Sequence, residues 1–170
     1  MKIMLLSIAT MLVLTNQSYA ISKIKLTDSG NCSYYAQQKL EQKLQKELTF
    51  LDGTYNNWMF LDGKQINNYT IRMSTTPKSK QGLCLLTPDA NKSNEGHIFW
   101  YDNYSISDNT ITTIGSESST YKDTQYSSNI FNGAWYRPTK NTYQEQEGII
   151  YINLMQNLDK RLKMLQNLYF

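Results

Sequence analysis

The chain has 170 residues, of which 18% are charged and 40% hydrophobic, with a formal net charge of +3. That length suits one domain with a sizeable core, and so small a charge excess excludes the basic stripe that nucleic-acid binding needs. A single histidine excludes a metal site built on two, and the eight glycines never form Gly-x-x-x-x-Gly-Lys-Ser/Thr or Gly-x-Gly-x-x-Gly, so no cofactor is expected.

Residues 1–20 have the form of a secretory signal. Lys2 precedes an apolar run from Ile3 to Leu14, and Ser18 and Ala20 place small residues at a cleavage site. The mature domain is therefore expected to span 21–170 and to be secreted or periplasmic, with no transmembrane segment. In such a compartment Cys32 and Cys84 are expected to form a disulfide, closing a loop of roughly 50 residues worth about 4 kcal/mol. On the same ground a nucleophilic cysteine is not expected.

From Asn31 onward, Leu40, Leu44, Leu48 and Leu51 form one helical stripe. Gln38, Lys39, Glu41, Gln42, Lys43, Gln45 and Lys46 fill the other faces, which reads as a solvated surface, and Gly53 suits the stop. Phe50-Leu51-Asp52-Gly53 returns as Phe60-Leu61-Asp62-Gly63. The second Asp-Gly is expected to be a tight hairpin between Trp58–Leu61 and Lys64–Ile66.

The middle of the chain reads as strands. Tyr69, Ile71 and Met73 alternate with polar residues, and a loop follows over 76–82. Leu83–Leu86 is a short apolar run ended by Pro88-Asp89. His97–Tyr101 and Asn109–Ile114 are neighbouring strands, 115–128 is an exposed loop or edge hairpin, and Ile130-Phe131 pairs with Ala134–Arg137 across Asn132-Gly133. Near the end, Ile150, Leu154, Leu158, Leu162 and Leu165 keep helical spacing, so a helix is expected from about Asn153; Ile149–Ile152 fits either helix or strand. The layout predicts an α+β domain: an N-terminal amphipathic helix, an antiparallel sheet and a C-terminal helix. The alternative is a small β-barrel closed by terminal helices.

For chemistry, His97 reads as a strand residue beside Gly96, with no Gly-x-Ser-x-Gly elbow to accompany it. Glu145-Gln146-Glu147, with Ser74-Thr75-Thr76 earlier in the chain, resembles the Glu-x-Glu and Ser-Thr-Ser motifs of exported ADP-ribosyltransferase toxins. The resemblance implies Glu147 as a catalytic candidate, with Glu145 as the first acid of the motif. Arg72 lies two residues before the Ser-Thr-Thr stretch, whereas the family's Arg lies well upstream. The larger signal is aromatic: 13 Tyr, 5 Phe and 3 Trp, interleaved with Asn, Ser and Thr. Trp100, Tyr101, Tyr104, Trp135 and Tyr136 are the candidate binding residues, since such rings give contact area at low entropy cost. The reading is a non-enzymatic exported protein that binds a protein or glycan of the envelope or host. The alternatives are an ADP-ribosyltransferase-like enzyme and a structural subunit of a surface assembly.

Overall fold

A computed structural model describes residues 32–49, 55–119 and 129–157. The signal segment, the first Asp-Gly pair and the leucines from Leu158 onward lie outside the described residues. The described architecture is a curled eight-stranded antiparallel sheet, a half-barrel with one long helix, which corrects the expected α+β layout with terminal helices and the alternative of a small β-barrel closed by terminal helices. The helix is α1 (Cys32–Leu44); α2 (Tyr55–Met59) and α3 (Pro88–Asn91) are short. The strands are β1 (Gln65–Ile66), β2 (Tyr69–Ser74), β3 (Gly82–Leu86), β4 (His97–Ser107), β5 (Thr110–Ser118), β6 (Ile130–Phe131), β7 (Ala134–Gln144) and β8 (Ile149–Gln156), in the spatial order β1-β2-β8-β3-β4-β5-β7-β6.

The helix α1 stops well before Gly53. Gln45 takes the left-handed conformation (φ 53°) and the Lys46 N–H bonds back to the Glu41 carbonyl at 3.2 Å, a Schellman-type end without glycine. The Asn67 amide then caps the Leu44 carbonyl at 2.7 Å. The polar face is not solvated throughout: Gln38 and Glu41 are buried, and the Glu41 carboxylate accepts from the Gln37 amide and the Leu48 N–H, both at 2.9 Å. The expected hairpin at Asp62-Gly63 is instead a turn that follows a helix. Trp58-Met59 closes α2, the N–H groups of Leu61 and Asp62 bond to the Trp58 and Met59 carbonyls, and Gly63 supplies φ 76°.

Strand parity divides the core into two faces. Leu83, Leu85, Ile98, Trp100, Ile152 and Leu154 cluster with Tyr35, Ala36, Leu40 and Leu44 of α1. Their strand neighbours Cys84, Leu86, Phe99, Tyr101, Ile149 and Tyr151 form a second cluster with Ile111 on the other face. The two cysteines therefore sit on opposite sides of the sheet, and both are free; the expected disulfide does not form. The curl brings Tyr143 of β7 over Phe99 of β4, ring centroids 6.3 Å apart, and a Thr75–Glu145 hydrogen bond joins the ends of β2 and β7. A bulge between Tyr101 and Asn103 turns β4 opposite Gly115, where any Cβ would lie 1.9 Å from the Trp100 carbonyl oxygen.

The segment expected to begin a terminal helix at Asn153 is instead the middle of the sheet, because β8 is paired on both edges, by β2 and β3. Asn153 is fully buried there. Its carbonyl oxygen accepts from the N–H groups of Lys78 (2.5 Å) and Ser79 (3.2 Å) and from the Tyr101 hydroxyl (3.2 Å). Its amide donates to the Arg72 and Tyr151 carbonyls (both 3.1 Å) and to the Ser74 hydroxyl (2.8 Å). One side chain thus ties the loop before β3 to three strands.

Candidate functional sites

Two features carry chemistry. The first stands at the start of α1. Cys32 is the first helical residue, half-buried, and its thiol feels the charge of the His97 imidazole at the start of β4. His97 Nε2 meets Glu117 Oε2 of β5 at 2.6 Å. Arg137 of β7 is the cross-strand partner of Glu117 and donates from Nε and Nη2 to Glu117 Oε1, each at 2.6 Å. The result is a row of four ionisable groups, Cys32, His97, Glu117 and Arg137, delivered by one helix terminus and three adjacent strands.

The electrostatics follow from that row. Burial alone would push the Cys32 thiol up, but the hydrogen bond and charge of His97, with a backbone hydrogen bond from Ile98 and one from Ser33, hold it below the ordinary cysteine value. The positive end of the α1 dipole acts in the same sense. Burial would lower His97, yet the partners Cys32 and Glu117 outweigh it and raise the imidazole to about 9. Burial would raise Glu117, but His97 and Arg137 bring its carboxyl below the usual range. At neutral pH the imidazolium of His97 thus stands beside the Glu117 carboxylate, with the Arg137 guanidinium on the carboxylate's far side, and the Cys32 thiol is shifted toward its charged form. Cys84 contrasts with this: on the far face of the sheet, burial pushes its thiol up and leaves it inert. Among the described residues no three His, Cys, Asp or Glu side chains converge to hold a metal.

The second feature is a trough at the other end of α1. Two adjoining clefts of about 370 and 310 Å³ share Lys43, Tyr69 and Gln81. Lys39 and Asp102 line the first, and Lys78 and Lys80 the second. Four lysines against one aspartate make an excess of three positive charges, equal to the formal net charge of the whole chain. Two of the ammonium groups are held against rings. Lys39 lies 4.7 Å from the Phe131 ring centroid and close to Tyr35 and Tyr136, and Lys43 lies 5.7 Å from Tyr69. Asp102 is occupied by the Trp100 indole N–H at 2.8 Å and the Gln81 amide at 3.3 Å.

The five aromatic candidates do not share a surface. Trp100 and Tyr101 are both buried and face opposite sides of the sheet. Tyr104 is half-buried edge-on to Tyr101, and Tyr136 stacks on Tyr35 at 5.9 Å; Trp135 is half-buried beside it in β7. Of the five, Trp100 lines the trough. Glu145 is exposed at the end of β7 and accepts from the Thr75 hydroxyl at 2.5 Å, so the Ser-Thr-Thr and Glu-x-Glu stretches do meet; Glu147 is exposed in the turn before β8. Sequence reasoning missed Glu117 and Arg137, which nothing but their cross-strand register brings together, and it assigned Cys32 and His97 to structural roles. A lone His and a Cys at a helix start were the available signals. No protein-family model matches the chain, and no curated protein or solved structure resembles it closely enough to count as a match.

Proposed function

We propose that this chain is an exported binding protein that takes an acidic glycan in the trough between α1 and the β2–β8–β3 region. The observation that carries the reading is a trough lined by four lysines against one aspartate, with Lys39 and Lys43 pre-positioned over rings. Anchoring two of the cations this way reduces the ordering cost a ligand would otherwise have to meet. Gln42, Gln45, Gln81 and Ser79 add neutral hydrogen-bonding groups along the same walls, suited to the hydroxyls between the acidic groups of a sugar chain. The signal-like residues 1–20 support export.

Glycan-array binding with the mature chain tests this. Retention of acidic glycans over neutral ones of the same length, weakening as salt rises, is the expected result. Reversing Lys43 and Lys78 together to Glu should cost at least about tenfold in affinity, or 1.4 kcal/mol. Equal binding of neutral and acidic chains, or none at low salt, rejects the reading.

A further inference from the structure

Building on the acidic-glycan reading, on which it rests, we propose that the trough takes a phosphorylated saccharide in one direction: a phosphate monoester against Lys43, Lys78 and Lys80, and an uncharged sugar unit against Asp102.

The two clefts differ in charge. Lys43, Lys78 and Lys80 line the second, and no carboxylate lines it with them. The first has Lys39 and the shared Lys43 against Asp102. Three positive charges therefore face the second cleft and a net of one faces the first, with Lys43 counted in both. A dianion set over the second cleft meets the larger field. The cationic donors there are all ammonium groups. An arginine fork matches a planar carboxylate at two points, whereas ammonium groups act as point charges, suited to the several oxygens of a tetrahedral group. A phosphate monoester is tetrahedral and carries close to two charges at neutral pH; a sulfate ester or a carboxylate carries one.

The fold holds these cations in place. Lys78 and Lys80 flank Ser79 in the loop that the buried Asn153 anchors. Asn153 Oδ1 accepts from the backbone N–H groups of Lys78 and Ser79. The Ser79 hydroxyl accepts from the Leu154 N–H at 2.9 Å and donates to the Gln81 carbonyl at 2.7 Å. The backbone that carries both lysines is thus tied to β8, and ligand binding does not have to order it. Lys43 comes from α1 and is held against the Tyr69 ring.

Asp102 sets the direction. Its Oδ1 accepts from both the Trp100 indole N–H and the Gln81 amide. Among the described residues both donors thus fall on one oxygen, and Oδ2 is left as an acceptor for a sugar hydroxyl. The same carboxylate repels a second anionic group placed in the first cleft. Uncharged hydroxyls fit beside it, and Gln42 and Gln45 offer amides to the same unit.

The test uses the mature chain on an array of glucose, mannose and N-acetylglucosamine trisaccharides. Each backbone is presented with a terminal phosphate monoester, a terminal sulfate ester, a terminal carboxylate, a carboxylate on every unit, or no charge. Wild type should retain the phosphate form about tenfold more tightly than the terminal sulfate and carboxylate forms. That advantage should shrink below about twofold at pH 5, because the second phosphate proton returns near a pKa of about 6. The sulfate form controls for titration of Asp102 or any other group of the protein. Lys78→Gln combined with Lys80→Gln should abolish the phosphate preference. Asp102→Asn should raise retention of the fully carboxylated chain about threefold or more and leave the phosphate-to-sulfate ratio unchanged, whereas loss of a merely structural residue would move all forms alike. Should a variant fail to fold, the wild-type ranking decides alone. Equal retention of the three terminally charged forms, or a fully carboxylated chain that outbinds the phosphate form, overturns the phosphate assignment and leaves the acidic-glycan reading standing. Retention of no charged form above the uncharged one removes both.

Discussion

Replacing Asn153 by Ala should be among the most damaging single changes to the described fold. The side chain is fully buried and takes part in six hydrogen bonds. Not all six are lost outright. Lys78 is exposed and Ser79 half-buried, so their N–H groups can find water, and the Tyr101 hydroxyl keeps the Ser79 hydroxyl at 3.4 Å. The Ser74 hydroxyl keeps its bond to the Thr76 carbonyl. That leaves the amide's bonds to the Arg72 and Tyr151 carbonyls and the volume the side chain vacates. At ~1–3 kcal/mol for each buried partner left unmet, the two together come to about 2–6 kcal/mol. That is a large share of a total stability of roughly 5–15 kcal/mol. Urea unfolding reads it as a lower midpoint at unchanged slope. Hydrogen exchange should show faster opening over 75–81, while α1 stays protected. A loss under about 1 kcal/mol, or opening no greater in that loop than in α1, would refute the view that this amide pins the loop to the sheet.

The Cys32–His97–Glu117 row should make stability depend on pH at both ends. Folding raises His97 from 6.5 to about 9, so its contribution is fully present below 6.5 and is lost as pH climbs through 9. Cys32 and Glu117 are lowered on folding, so their contributions are lost as pH falls through their depressed values. The urea midpoint of wild type relative to His97→Gln should therefore narrow as pH passes 9. Gly115→Ala should destabilise by at least about 2 kcal/mol, because its Cβ would meet the Trp100 carbonyl and force the β4 bulge to shift; thermal unfolding with an unchanged midpoint would speak against that. Thiol titration of the unfolded, never-reduced chain should find two free sulfhydryls, and intact mass after alkylation should carry two adducts.

The sheet was the most legible part of the sequence, and the ends of elements the least. Tyr69–Ser74 and Leu83–Leu86 announced themselves by alternation and by an apolar run, and both are strands. β8 misled because Ile150 and Leu154, four apart, satisfy a helical period and a strand period at once. Ile152 between them, on the same face, is the residue that should have decided for strand. The end of α1 was illegible because Gln45 adopts a conformation expected of glycine, made tolerable by the Asn67 cap from a distant turn. The paired-cysteine expectation failed on parity. Export argues that two cysteines pair, but Cys84 lies between Leu83 and Leu85, which face α1, so it must face away. The ionisable row was half visible, in Cys32 and His97. Its other half depends on the β5–β7 register, which no local pattern encodes.

The separation of the two sulfurs by a layer of backbone limits how the protein can respond to oxidants. One sulfur is reachable and the other is sealed behind Phe99, Tyr101 and Tyr151. A single reachable sulfur can cap itself with a small thiol or join one neighbouring molecule, and there the sequence of linkages ends. Mild peroxide should therefore drive the folded protein to a covalent pair on a non-reducing gel and to nothing larger.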